Sequence, residues 1–443
     1  MTVVYVLAVV FALLIVRGLQ RTSEESSAMT LVFIAATCYL APAYIVYLGD
    51  VYKHVDIASS SVGVTSVMVA VATALLINVA GRLRAPGGVL LAPAAIWLLV
   101  GTWLSWGRSD EHDAGLAHLG VGFGAWLVGA SCAYAIRADP RVRERAAMYL
   151  TGLLAIQALV VVGQALGFDI NPMSAQELAL LEGRYNGLLN HPGQLANATL
   201  IIFVLILGLR DSMASWRSGR TALLFTLVMG ICIAAGSRAQ ILGAIALLLG
   251  WALFAFGQRA PRGRRFGAVG IAVLGLVASY PVLQKRFSED PTGGGRGILQ
   301  EIGLQAVMEH PWVGVGPNSY VSVIGLSDAL TASGVPVHNA FLISAAELGI
   351  VGAIALWLPV LWTFARGFRL RKEGGSGRAP AVAATAFFVP FLISTFTGWG
   401  LLSDPLYGLL MLVMGAIYAL TFPATATEEA SKPALPSHVQ ARP

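Results

Sequence analysis

Apolar runs of about 20 residues recur from one end of this chain to the other, and that repetition restricts its fold more than any other feature. A run of that length lets an α-helix cross ~30 Å of hydrocarbon at ~1.5 Å per residue. The balance of residue types agrees: of 443 residues, 56% are hydrophobic and only 12% are charged, against about 25% charged in a soluble domain. The expected fold is all-α, a polytopic transmembrane bundle of about 12–14 spans. The first apolar run, Thr2 to Val16, has no cleavage-like tripeptide after it and reads as a retained helix rather than a signal peptide. Cys38, Cys132 and Cys232 lie far apart inside apolar runs, so they read as small buried hydrophobes rather than a disulfide or metal set.

Charge placement sets the orientation. Alternate loops hold 22 of the 29 Lys and Arg, including Arg137, Arg143, Arg210, Arg366 and Arg378, and the positive-inside rule puts that side in the cytoplasm. The other seven, Lys53, Arg108, Arg184, Arg238, Lys285, Arg286 and Arg296, fall on the outer side, where the bias discourages them. The basic pI therefore reports topology; no stacking-aromatic or basic-groove pattern points to nucleic acid.

The chain divides into N-terminal spans over 1–168, spans with outer arginine turns over 169–283, a long outer loop over 284–337, C-terminal spans over 338–423, and a polar, disordered tail over 424–443. Asp110-Glu111-His112-Asp113 reads as a solvated acidic loop in preference to a metal cluster. Within the long loop, 297–309 has Ile298, Ile302, Leu304, Ala306 and Val307 among polar residues. That pattern predicts an amphipathic helix lying on the membrane surface or capping the bundle. His310-Pro311 stops it, and Gly314 to Tyr320 follows as a turn.

His338 stands where this loop re-enters an apolar run. If a helix starts there, Leu342, Ala345, Gly349, Gly352 and Leu356 fall within about 40° of its face. The small residues in the middle of that set would let another helix approach closely. Two readings stay open for His338: a group available for proton transfer at the boundary, or a helix-terminal side chain bonded to a carbonyl. Glu347 is nine residues on and faces the other way, as a relay residue or an internally paired one. Arg238 occupies a tight turn between two apolar runs; Arg184 sits in a glycine-flanked turn and Arg296 after three glycines. Guanidinium binds phosphate by a planar fork, so several arginines at one outer mouth suggest a pyrophosphate ligand, with Arg286 and Lys285 as weaker candidates that also suit headgroup anchoring. There is no Walker loop, no G-x-S-x-G elbow and no paired intramembrane acids.

Taken together, these residues resemble the O-antigen ligase and polymerase superfamily of bacterial envelope glycosyltransferases. The resemblance rests on Arg238-Ala239-Gln240-Ile241-Leu242, on Gly294-Gly295-Arg296 through His310-Pro311-Trp312-Val313-Gly314-Val315-Gly316, and on His338-Asn339 followed after nine residues by Gly349-x-x-Gly352. It covers about Arg184 to Gly352; the N-terminal half matches in hydropathy alone. The resemblance implies a metal-independent transferase without a cofactor, in a bacterial inner membrane, with its active site on the periplasmic or outer side. Its donor would be a glycan on undecaprenyl pyrophosphate and its acceptor a glycan, lipid A core or another envelope hydroxyl. By that analogy His338 is the general base, Arg184, Arg238 and Arg296 bind the pyrophosphate, and Asn339, Gly349 and Gly352 pack the site. A polymerase of the same superfamily, a transporter of small anions or lipid-linked glycan, and a non-catalytic scaffold are the alternatives.

Overall fold

The computed structural model describes residues 23–40, 45–47, 63–80, 92–105, 110–168, 183–210, 218–255, 262–289, 295–373 and 375–423, with a few isolated positions besides. Most of the expected first span, Lys53, Arg108, Gly293, Gly294 and the tail 424–443 lie outside the described residues. In chain order the elements are α1 (Ser23–Leu40), a two-stranded antiparallel hairpin of β1 (Ile45–Tyr47) and β2 (Gly63–Thr65), α2 (Ser66–Ala80), α3 (Ala92–Ser105), α4 (Asp110–Ile136) and α5 (Pro140–Ala165). Then come α6 (Pro192–Leu209), α7 (Ser218–Ala234), α8 (Arg238–Ala255), α9 (Arg262–Glu289), α10 (Arg296–Glu309), the short α11 (Tyr320–Ile324) and α12 (Ala329–Ala332), α13 (Ala340–Leu370), α14 (Arg378–Thr397) and α15 (Leu406–Leu420). Among the described residues, six helices (α4, α5, α6, α8, α13 and α14) are long and apolar enough to cross a membrane. The chain is an all-α, multi-pass membrane protein, with one small two-stranded sheet among the described residues that its hydropathy did not announce.

Beyond its first turns helix α6 is apolar on nearly every side and is enclosed accordingly, with 89% of its span buried. Helices α5, α7, α14 and α15 pack around it. The closest pairing in the bundle is α4 on α15. A Cβ on Gly129 would lie 2.0 Å from the Leu412 carbonyl oxygen, and one on Gly415 would lie 2.2 Å from that of Trp126. Backbones meet there because glycine leaves nothing between them, which is how helices gain contact where lipid supplies no hydrophobic drive.

The arginine-rich ends gather on one side. Arg143 is fully buried and donates to the carbonyls of Leu209 (3.1 Å) and Arg137 (3.2 Å). Arg378 donates to the Ala255 carbonyl at 3.4 Å, and Arg366 donates to the Thr421 hydroxyl. Guanidinium groups thus satisfy carbonyls left open at helix C-termini, where the macrodipole also favours them.

Helix α13 departs from the expected straight rod. Gly349 has φ 70° and ψ 171°, which breaks the helix. The 21 residues after the break are about 31 Å long, enough for the hydrocarbon core alone. The face computed for an unbroken helix from His338 therefore stops at Gly349. What approaches Gly349 is also not a helix: a Cβ there would lie 2.2 Å from the Trp312 carbonyl oxygen. The segment 311–320 threads across the break and binds it. Val315 and Gly316 donate their N–H groups to the carbonyls of Ala346 and Glu347 (both 2.8 Å), and Ile350 N–H donates to the Pro311 carbonyl at 2.8 Å. Glu347, 1% exposed, accepts from Tyr320 N–H at 3.1 Å, so the side chain left open as relay or internal partner ties down this strap.

The amphipathic helix α10 caps the bundle with part of the expected stripe, Ala306 being buried and Ile302 and Val307 packed against the core. Leu299, Gly303 and Ala306 face inward, while Ile298 and Leu304 are 60% and 53% exposed. Gly303 lies against Leu342 and Val337, which brings α10 close to the start of α13. Helix α9 continues to Glu289, so Lys285 and Arg286 stand on its last turn rather than in a loop.

Candidate functional site

A cavity of about 500 Å³ opens among the helix ends away from the arginine-rich side, within the ~300–1,000 Å³ range of ligand clefts. Arg184, Arg238, Arg286, Arg296 and His338 all line it. These five residues come from separate elements, and each is held by local structure.

Arg184 sits in a turn bounded by Gly183 and Gly187, both at positive φ. Two glutamines of α5, Gln157 and Gln164, fix that turn. Gln164 accepts from Gly187 N–H (3.0 Å) and donates to its carbonyl (2.9 Å), while Gln157 accepts from Leu188 N–H at 3.1 Å. Tyr185 N–H donates to the Ala234 carbonyl at 3.1 Å, tying the turn to the end of α7. The Arg184 stem then lies on Gly236, where a Cβ would be 2.9 Å from its Cγ. Gly236 holds φ 61°, a left-handed conformation that lets the chain reverse in three residues between α7 and α8. Arg238 follows as the first residue of α8. It donates to the Arg286 carbonyl at 3.2 Å and lies 4.9 Å over the Phe287 ring, pinning the last turn of α9 against α8. Arg296 begins α10 after Gly295 at φ 78°, and the packing of α10 on α13 sets it beside His338.

His338 Nδ1 lies 3.0 Å from the Pro336 carbonyl oxygen. A carbonyl only accepts, so Nδ1 carries the proton and Nε2 keeps its lone pair. Burial and the neighbouring Arg296 charge lower its pKa, with the Pro336 bond opposing them. At neutral pH the ring is therefore a neutral imidazole with a free basic nitrogen. Of the two open readings, the carbonyl-bonded one holds for Nδ1, and Nε2 is left available for the proton-transfer one. Asn339 caps α13 by accepting from Phe341 and Leu342 N–H, both at 3.1 Å, which fixes the backbone from which His338 projects. Gly349 and Gly352 do not line the cavity; Gly349 acts one step away, through the strap.

His191 also lines the cavity and was not singled out from sequence. Its Nδ1 accepts from Gly193 N–H at 3.0 Å as the N-cap of α6, which leaves Nε2 as a donor. Desolvation and the Arg184 charge bring its pKa down to about 4, so it too is neutral. Several uncharged groups likewise escaped a search for charge: Gln194 and Asn197 on α6, Gln240 on α8, Ser394 and Thr397 on α14, and Trp399 and Ser403 beyond it. The available signal was an amide inside an apolar run, which hydrocarbon disfavours. Gln240 donates to Asn197 Oδ1 (3.0 Å) and Ser394 Oγ (3.4 Å), and Asn197 donates to the Gly193 carbonyl (3.0 Å). No Asp or Glu is among the described residues lining the cavity. Asp404, next to Ser403, turns its carboxyl to Thr65 instead, and burial raises its pKa.

Residues 221–357 match the family model described as O-antigen ligase. No curated protein matches the chain. The matched segment carries Arg238, Arg286, Arg296 and His338, together with the strap and the break in α13.

Proposed function

We propose that this chain, whose residues 221–357 match the O-antigen ligase family model, transfers a glycan from undecaprenyl pyrophosphate to an acceptor hydroxyl at the outer face of the bacterial inner membrane. At the coarser level the family match supports a glycosyltransferase-like membrane enzyme that ligates or polymerises glycan. The observation carrying the finer reading is the convergence of four arginines and a neutral histidine with a free Nε2 in one cavity.

The chemistry needs two things of the protein. An acceptor oxygen attacks the anomeric carbon while the bond from that carbon to the pyrophosphate oxygen breaks, and the electron pair leaves with the pyrophosphate. Arg184, Arg238 and Arg296, with Arg286 in a lesser part, face that growing charge with donors set before reaction. The acceptor proton passes to His338 Nε2. A sugar hydroxyl is far too weakly acidic to be ionised beforehand by imidazole, so the proton moves as the new bond forms, at contact distance. No step calls for a metal ion or cofactor. The His338-Asn339 and Gly349-x-x-Gly352 spacing favours a ligase over a polymerase; the acceptor is then lipid A core or another envelope glycan.

The test is transfer by the purified, reconstituted chain from a labelled lipid-linked glycan, with products read by mass spectrometry. His338→Ala is expected to lower turnover by about 10²–10⁴ while retaining donor binding. Arg238→Lys keeps the charge and loses the fork, and is expected to slow transfer as well. Full activity in His338→Ala would sink the base assignment. Movement of intact donor across the bilayer without release of undecaprenyl pyrophosphate would favour a transporter.

A further inference from the structure

Different elements supply two kinds of lining to the cavity. The arginines come from the 183–187 turn and from α8, α9 and α10. The first turns of α6, the last turn of α14 and the turn after it supply uncharged groups: Gln194, Asn197, Ser394, Thr397, Trp399 and Ser403. A site for pyrophosphate and a lipid tail alone has no use for the second set, and amides near hydrocarbon carry a desolvation cost.

Their hydrogen bonds show what they leave open. Gln194 donates to Ser403 Oγ (3.3 Å) and to the Asp404 carbonyl (3.5 Å), while its buried Oε1 has no partner. Ser403 spends its own proton on the Gly400 carbonyl (2.6 Å), and Thr397 spends its proton on the Ile393 carbonyl (2.6 Å), which leaves Thr397 Oγ1 free to accept. Ser394 accepts from Gln240, and among the described residues its own proton has no acceptor. The set therefore offers both acceptors and a donor without net charge. Beside it stands Trp399, flanked by Gly398 and Gly400, a half-buried aromatic ring on the turn that ends α14.

We propose that this neutral wall is the subsite for the donor's first sugar, with Trp399 as its stacking platform and Gln194, Ser394 and Thr397 bonding its hydroxyls. Each sugar hydroxyl both donates and accepts, and its C–H face is apolar, so amides, hydroxyls and an aromatic ring together complement it. The sugar is bonded directly to the pyrophosphate, so a wall of the same cavity is where it must lie once the arginines hold the phosphates. The assignment rests on the transferase reading and names the part of the donor that this wall selects.

The experiment measures binding to the purified full chain in nanodiscs, without turnover. The probes are undecaprenyl pyrophosphate bare and carrying N-acetylglucosamine, glucose or galactose. Wild-type chain is expected to bind one of the three glycosylated probes, which carry equal charge, more tightly than the other two. Trp399→Ala should weaken that probe about tenfold and leave the bare carrier unchanged, while Trp399→Phe keeps most of the affinity. Gln194→Met, close in size, should weaken the glycosylated probe severalfold by itself, which keeps the test open if Trp399→Ala does not fold. Equal losses for bare and glycosylated probes, or no loss in either Trp399→Ala or Gln194→Met, would overturn the subsite. Failure of the wild type to bind any of the four probes would instead overturn the transferase reading on which it depends.

Discussion

The two nitrogens of His338 are separated in role by a single bond. Nδ1 is held by the Pro336 carbonyl, so the ring is oriented and its tautomer chosen, and Nε2 is left with a lone pair. Burial and the Arg296 charge keep the ring neutral to lower pH than the ordinary value of 6.5. Transfer is accordingly expected to be flat around neutral pH and to fall on the acid side as His338 takes a proton. Removing the neighbouring charge in Arg296→Gln should raise the His338 pKa, which NMR of the imidazole protons can follow in the free protein. No rise would show that Arg296 does not act on the ring. The sign carries to stability: a histidine whose folded pKa is depressed contributes stability above its unfolded value and loses it as pH falls through the folded one. His191, lowered to about 4, adds to the same acid lability of the helix ends around the cavity.

At the scale of elements, the broken α13 and the strap explain the glycine motif better than a helix–helix contact does. Sequence spacing identified Gly349 as a place of close approach, and that much was legible. The partner was not. Glycine in an apolar helix reads the same whether it admits a neighbouring helix or reverses φ, and here it does the second with Trp312 against it. Gly349→Ala would force a Cβ into a left-handed backbone and onto a carbonyl. We expect it to cost roughly 2–4 kcal/mol and to lower the thermal midpoint in detergent. Gly120→Ala on α4 is the control, since nothing lies within 4 Å of its would-be Cβ; it should be neutral or slightly stabilising. A similar effect at both sites would remove the strap from the explanation.

For the whole molecule, hydropathy and charge asymmetry made the bundle and its two faces legible, because both signals add along the chain. The same asymmetry singled out Arg184, Arg238, Arg286 and Arg296, and the fold brings them into one cavity with His338. What could not be read is what counts of charge ignore. His191, Gln194, Asn197 and Trp399 are unremarkable in sequence and meet only because α6 and α14 end at the same depth. Nor does spacing along a chain reveal that the strap and α10 share a helix as support.

The cavity's lining also bears on product release. The proposed transfer would turn a pyrophosphate diester into a monoester, so the spent carrier would have one more negative charge than the donor. Four arginines with no carboxylate among the described lining residues hold that product more tightly than the substrate. A fast first turnover and then a slower steady state is the expected time course, relieved by a phosphatase that consumes the spent carrier; a linear course indifferent to it would contradict this. In the proposed reaction, the charge that eases departure of the leaving group from the sugar delays its departure from the protein.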